Sequence, residues 1–243
     1  MSLRISKRLK RLLTSILVVS AISASAYLLG WSSLLSVAQV SVSGSGAANL
    51  VLNELSRNGI EPKTGDQLAR VDVRSIKRTL NQLDWISSSD VSRNWFNKKL
   101  SIVVKERVAI AKTISVQNTS VNFDSKGFIF TPTSPNQLMA QGKLPSVTSQ
   151  SRSNEDLTAI ATLLEQIPSD LRYLLLDLES ISITKSSFIL MDTRLNASTL
   201  RINWGGATDI GQKSKVLTAL LKLPENKAIK QVDLSQPDSP IVS

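Results

Sequence analysis

The chain has 243 residues, 42% hydrophobic and 20% charged, which suits one medium domain or two small ones and is not the composition of a disordered chain. It contains no cysteine and no histidine. That excludes disulfides, thiolate metal sites, cysteine nucleophiles and histidine dyads, and it argues against an enzyme.

The net charge is +10, and Arg4, Lys7, Arg8, Lys10 and Arg11 supply half of it before residue 12 with no acid among them. A pI near 10 can signal nucleic-acid binding, but here the excess flanks an apolar run, so membrane topology explains it better and no nucleic acid is expected. No charged residue occurs between Arg11 and Glu54, and Leu12 to Leu35 is mostly apolar. As a helix this stretch would run about 36 Å, enough to cross a hydrocarbon core of about 30 Å. Tyr27 and Trp31 lie near its far end, where an aromatic belt would sit, and the basic cluster predicts a cytoplasmic N-terminus. The rival is a cleaved signal peptide, because Ala24-Ser25-Ala26 fits an A-x-A site. The apolar run continues to Leu35, which favours an uncleaved anchor. The expected order is therefore a basic tail (1–11), a single transmembrane helix (12–36) and an extracytoplasmic remainder, with the lipid bilayer as a partner and the module that follows the helix close to it.

Val37 to Ser43 alternates apolar and polar residues as a strand does. Ala48, Val51, Leu52 and Leu55 follow at helical spacing, with Gly59 placed to stop the helix. Asp72 is positioned to cap a second helix with an apolar face of Val73, Ile76, Leu80 and Leu83. After Ser87 the period changes to two through Val91, Arg93 and Trp95. A turn at Asn97 to Lys99 then leads into a strand with Leu100, Ile102 and Val104 on one face. Residues 37–107 thus read as a βααββ module. Residues 108–235 read as a mainly antiparallel β domain with two helices. A strand over 108–117 is followed by a hairpin across Ser125-Lys126-Gly127 and a loop over 132–153. A helix runs from Asn154 to Ile167, then come strands in SSFILMD and STLRINWG, a helix from Asp209 to Leu223 and a last strand in AIKQVDLS. Residues 236–243 form a polar tail. The fold class is α+β.

This order resembles the FtsQ/DivIB family of bacterial division proteins over nearly the whole chain. The first module resembles a POTRA domain (polypeptide-transport-associated). The motifs that carry the likeness are Leu83-Asp84-Trp85-Ile86, the V-x-R-x-W of Val91 to Trp95, and the L-x-I-x-V-x-E-R of Leu100 to Arg107. The D-x-x-G of Asp124 to Gly127, Leu144-Pro145, Ile210-Gly211 with Lys215, and Val232-Asp233-Leu234 follow in the family's order. Phe96 and Val108 stand where the family usually has proline.

The resemblance implies a non-enzymatic division scaffold in the cell membrane, at the septum, linking early and late division proteins. Its partners would be bitopic proteins of the FtsB/DivIC and FtsL type and septal wall synthases. No cofactor or metal is expected. The resemblance also implies that Val232, Asp233 and Leu234 lie on an edge strand that receives a partner by backbone pairing. The alternative is an ordinary last strand with Val232 and Leu234 in the core. Arg93, expected to face water, marks the second POTRA strand, where strand addition also recruits partners. Trp85 and Trp95 are expected in the core, and Glu106 with Arg107 as a solvent-facing pair at the join. A secretion or chaperone factor is the second reading. A penicillin-binding enzyme is the remote one, because Ser182-x-x-Lys185, Ser92-x-Asn94 and Lys63-Thr64-Gly65 occur, but in reversed order and with Ser182 in a strand-like stretch.

Overall fold

The computed structural model describes residues 7–30, 35–115, 118–149, 153–196 and 198–243. The chain divides into two units, Met1–Glu106 and Arg107–Ser243.

In the first unit, helix α1 (Lys7–Gly30) carries its basic residues in its opening turns. Among the described residues, no helix is long and apolar enough to cross a membrane. The expected span of 12–36 reaches beyond those residues, because 31–34, Trp31 included, lie outside them. Strand β1 (Gln39–Ser43), helices α2 (Ala48–Arg57) and α3 (Val73–Asn81), and strands β2 (Ile86–Asn94) and β3 (Lys99–Glu106) follow in the expected order. The sheet order is β1-β3-β2, with β1 parallel and β2 antiparallel to the central β3.

Local chemistry sets the helix ends. The Asp72 carboxylate accepts from the N–H groups of Arg74 and Ser75, which satisfies donors that the first turn of α3 leaves free. Those Ser75 and Arg74 hydrogen bonds hold its pKa below the ordinary value. At the end of α2, Ile60 N–H donates to Leu55 O and Gly59 N–H to Ser56 O, the paired bonds of a Schellman turn, with Gly59 at φ +67°. Val51, Leu55, Ile76 and Leu80 are buried from the helices, and Leu100, Ile102 and Val104 from one face of β3.

The second unit opens with a small antiparallel sheet of β4 (Ala111–Ile114), β5 (Ser120–Phe123) and β6 (Ile129–Phe130). Residues 132–149 are not the expected loop. They hold α4 (Pro135–Gln141) and β7 (Val147–Ser149). Ser134 accepts from Gln137 N–H while the Gln137 side chain bonds back, a capping box with Pro135 in the first turn. Then come α5 (Asn154–Gln166), the single turn α6 (Tyr173–Leu176), β8 (Leu178–Ile183), β9 (Ile189–Leu195), β10 (Ser198–Gly205), α7 (Ile210–Lys222), β11 (Gln231–Asp233) and β12 (Ile241–Val242). Among the described residues the unit thus has four α-helices where two were expected, since α4 and α6 are too short to show a helical period.

Its main sheet runs β12-β11-β10-β9-β8-β7. Leu157 and Ile160 of α5, Leu174 of α6 and Leu217 of α7 join Ile181, Met191, Ile202 and Val232 in one core. Alternation along the strands sends Ser180, Asp192, Arg201 and Asp233 to the opposite face.

Candidate partner-binding edge

Three groups fix the hairpin at the start of the second unit. Asp124 Oδ1 accepts from the N–H of Lys126 (2.9 Å) and of Phe128 (3.0 Å), an Asx-type turn closed by Gly127 at φ +71°. Arg107 forms an ion pair with Asp124 Oδ2, and its guanidinium lies 4.0 Å from the Phe128 ring centroid. The Arg107 side chain is thus mostly buried and not solvent-facing, and the Glu106 carboxylate accepts from Ser45. A Cβ at Gly127 would sit 2.4 Å from Asn154 O, so the turn packs directly on the start of α5.

On the main sheet, β11 lies between β10 and β12 and is not the edge. The expectation that Val232, Asp233 and Leu234 form an open edge is corrected by the C-terminal residues, expected to be a tail, which pair as β12. Ser243 and Gln231 exchange N–H to C=O bonds of 3.1 and 3.0 Å, and Val232 lies opposite Val242. Val232 and Leu234 are buried, and bonds from Arg201 N–H to Lys230 O and from Leu234 N–H to Asn203 O assign that side of the strand to β10. The backbone of Val232 thus faces inward to β10. Gln231 and Asp233 face β12. In the antiparallel pair, Ser243 and Ile241 oppose these bonded positions, so the backbone of Val242 faces away from β11. Ile241 is 68% and Val242 40% exposed. Among the described residues β12 is therefore a terminal strand of the sheet with its outer flank unpaired.

The carboxylates of Asp233 and Asp192 are hydrogen-bonded. Burial pushes the Asp233 carboxyl up, but hydrogen bonds from Ser235 and Asn203 outweigh it and hold the group below its ordinary value. Asp192 is held low chiefly by Arg201, which donates from Nε at 2.7 Å and from Nη2 at 3.2 Å. Gly205, at φ +64°, would place a Cβ 2.8 Å from Ser235 Cα. Lys213 is 2% exposed and its Nζ donates to Trp204 O (2.7 Å) and Gly206 O (2.8 Å). Burial pushes its pKa down, with Asp209 opposing. Lys215, singled out by the motif, instead lines a groove of about 580 Å³ with Asp170, Thr218 and Lys222.

In the first unit, Arg93 does not project into water: its Nη2 donates to Val71 O, 22 residues away. Trp85 is buried, whereas Trp95 is 39% exposed, because β2 ends at Asn94 and releases it from the sheet. Lys7, Arg8, Lys10 and Arg11 lie in the first turns of α1, and Arg4 lies outside the described residues.

Residues 35–107 match the family model for the POTRA domain of FtsQ type. The whole chain is similar to a protein named cell division protein FtsQ, from Streptomyces bingchenggensis (strain BCW-1). Identity is 27% over 248 residues, covering 99% of this chain and 88% of that one. The first unit therefore carries a POTRA domain of FtsQ type. β1, α2, α3, β2 and β3 are that POTRA module, and the matched range ends at Arg107, one residue past the first unit. The likeness supports a role in cell division.

Sequence reasoning missed β12 and the inward Lys213. The lysine had a legible signal: Ile210, Lys213, Ser214 and Leu217 form one helical stripe, and all four are buried.

Proposed function

We propose that the chain is a non-enzymatic scaffold of the division machinery. Its N-terminal helix holds it in the cell membrane, residues 1–11 stay in the cytoplasm, and both units stand outside. There it links early and late division proteins and helps control septal peptidoglycan synthesis. Its contacts are bitopic proteins of the FtsB/DivIC and FtsL type, and septal wall synthases. The observation that carries the reading is likeness to a division protein along 99% of the chain. The uncharged run between Arg11 and Glu54, behind five basic residues, supports the anchor.

The outer flank of β12 is the surface proposed to accept a partner strand, since backbone pairing is the recognition mode an open sheet edge offers. Val242→Pro tests it, because it deletes an outward N–H and leaves the bonds of Ser243 with Gln231 in place. Capture of an FtsB/DivIC-type partner is expected to fall. Unchanged capture by a folded, inserted variant removes the edge assignment.

Imaging an N-terminal fluorescent fusion in dividing cells tests the scaffold reading itself. A band at the division site is expected, and a uniform membrane signal would favour the secretion or chaperone alternative. Ser182 lies inside β8, paired with Leu190, and not at the start of a helix as a penicillin-binding serine would. A covalent adduct there with fluorescent penicillin would overturn the non-enzymatic reading.

A further inference from the structure

The turn between β2 and β3 presents Trp95 and Phe96 side by side, 39% and 97% exposed, followed by Lys98 and Lys99. Nothing in the scaffold reading uses them. The turn is built and not frayed: Asn97 N–H donates to Asn94 Oδ1 at 3.0 Å, and Lys98 takes the left-handed conformation at φ +52°. Between Asp90 and Glu106 the hairpin holds Arg93, Lys98, Lys99 and Lys105 and no acid. In the loop beside it, Asp66 Oδ2 is taken by the Lys63 N–H.

Register decides where this tip points. Because β1 runs parallel to β3, the start of β1 lies beside the start of β3, with Gln39 opposite Lys99. Ala38 N–H donates to Lys98 O at 2.8 Å. Just before it, Leu35 O accepts from Leu68 N–H and Val37 N–H donates to Asp66 O. The aromatic tip therefore stands at the end of the module where the chain arrives from α1. If residues 12–36 span the bilayer, Ala38 is two residues past the span, at most about 7 Å along the chain.

We infer that the Trp95–Lys99 tip is a second membrane contact, with Trp95 and Phe96 seated in the headgroup layer and Lys98 and Lys99 facing anionic lipid phosphates. This occupant fits the composition, since aromatic rings with flanking lysines match the bilayer interface. The contact holds the POTRA module against the membrane at two points, the end of the anchor and the hairpin tip, and so restrains its rotation. The inference rests on the membrane-anchor reading above.

The absence of cysteine allows single labels. An environment-sensitive dye is placed at Phe96→Cys, at Ser88→Cys towards the other end of β2, or at Ala24→Cys within α1, in the full chain reconstituted in vesicles. With phosphatidylcholine–phosphatidylglycerol vesicles carrying a headgroup-depth quencher, the label at 96 is expected to be blue-shifted and quenched, and the label at 88 neither. Lys98→Gln with Lys99→Gln is expected to reduce that quenching, as are vesicles of phosphatidylcholine alone. A label at 24 in the bilayer with the label at 96 as aqueous as that at 88 overturns the inference while leaving the anchor intact. So does a label at 96 that is buried only when a partner protein is added. An aqueous label at 24 sinks the anchor reading and this inference with it.

Discussion

Replacing Gly127 by alanine tests the claim that the Asp124–Gly127 turn is packed onto α5. Two costs add. The residue sits at φ +71°, and the left-handed region costs a non-glycine residue roughly 1–2 kcal/mol. The new Cβ would also lie 2.4 Å from Asn154 O and 2.6 Å from Thr158 Oγ1. Relieving that overlap means displacing the first turn of α5, an overpacking cost of about 1–3 kcal/mol. The expected loss is therefore about 2–5 kcal/mol. Gly59 separates the two costs, because it has a similar φ of +67° and nothing within 4 Å of its Cβ. Gly59→Ala should cost about 1 kcal/mol, conformational strain less the entropy lost by the unfolded chain. Urea unfolding reads both. Trp204, buried in the second unit, reports on Gly127, and Trp85, buried in the first, reports on Gly59, each in a chain whose other three tryptophans are phenylalanine. A Gly127→Ala cost no larger than that of Gly59→Ala would refute the packing argument.

Val232→Pro should destabilise the second unit by about 3 kcal/mol or more in the same titration, because its backbone faces β10 and its side chain is buried. Val242→Pro should change stability by less than about 1 kcal/mol, because its backbone faces outward. Lys213→Met should cost about 2–4 kcal/mol by chemical denaturation, since the carbonyls of Trp204 and Gly206 both lose a donor while relief of a buried charge offsets part of the loss. Asp192 and Asp233 are held below 3.8 in the fold. Their contribution is complete above 3.8 and is lost as pH falls through the folded values. Asp233→Asn should flatten the acid limb of a stability–pH curve, and an unchanged limb would count against the assigned hydrogen bonds.

The sequence was legible where a period repeats. Val51 and Leu55, Ile76 and Leu80, and Leu157 and Ile160 marked their helices because one face of each helix must be apolar. Helix α4 has seven residues, too few for a period, although its capping box of Ser134 and Gln137 was written in the chain. The partner-binding edge was misplaced for a different reason. Two residues, Ile241 and Val242, decide which strand is outermost, and their pairing with β11 is a tertiary choice that no local pattern signals. Arg93 was similarly opaque, because an alternating strand pattern gives a side but says nothing of a carbonyl 22 residues upstream.

The parallel pairing of β1 with β3 also sets the order in which the first unit is completed during synthesis. Gln39 is made 60 residues before its partner Lys99. At roughly 5–20 residues per second, β1 waits on the order of 3–12 seconds with its ladder groups unpaired. Both helices are finished in that interval, yet neither can dock on a sheet whose central strand does not exist. The nascent module therefore closes in one late step, when β3 slots between β1 and β2. During the wait β1 shows only Val40 and Val42 as apolar side chains, set between Gln39, Ser41 and Ser43. That polar alternation suits a strand that must stay unpaired without recruiting a neighbouring chain.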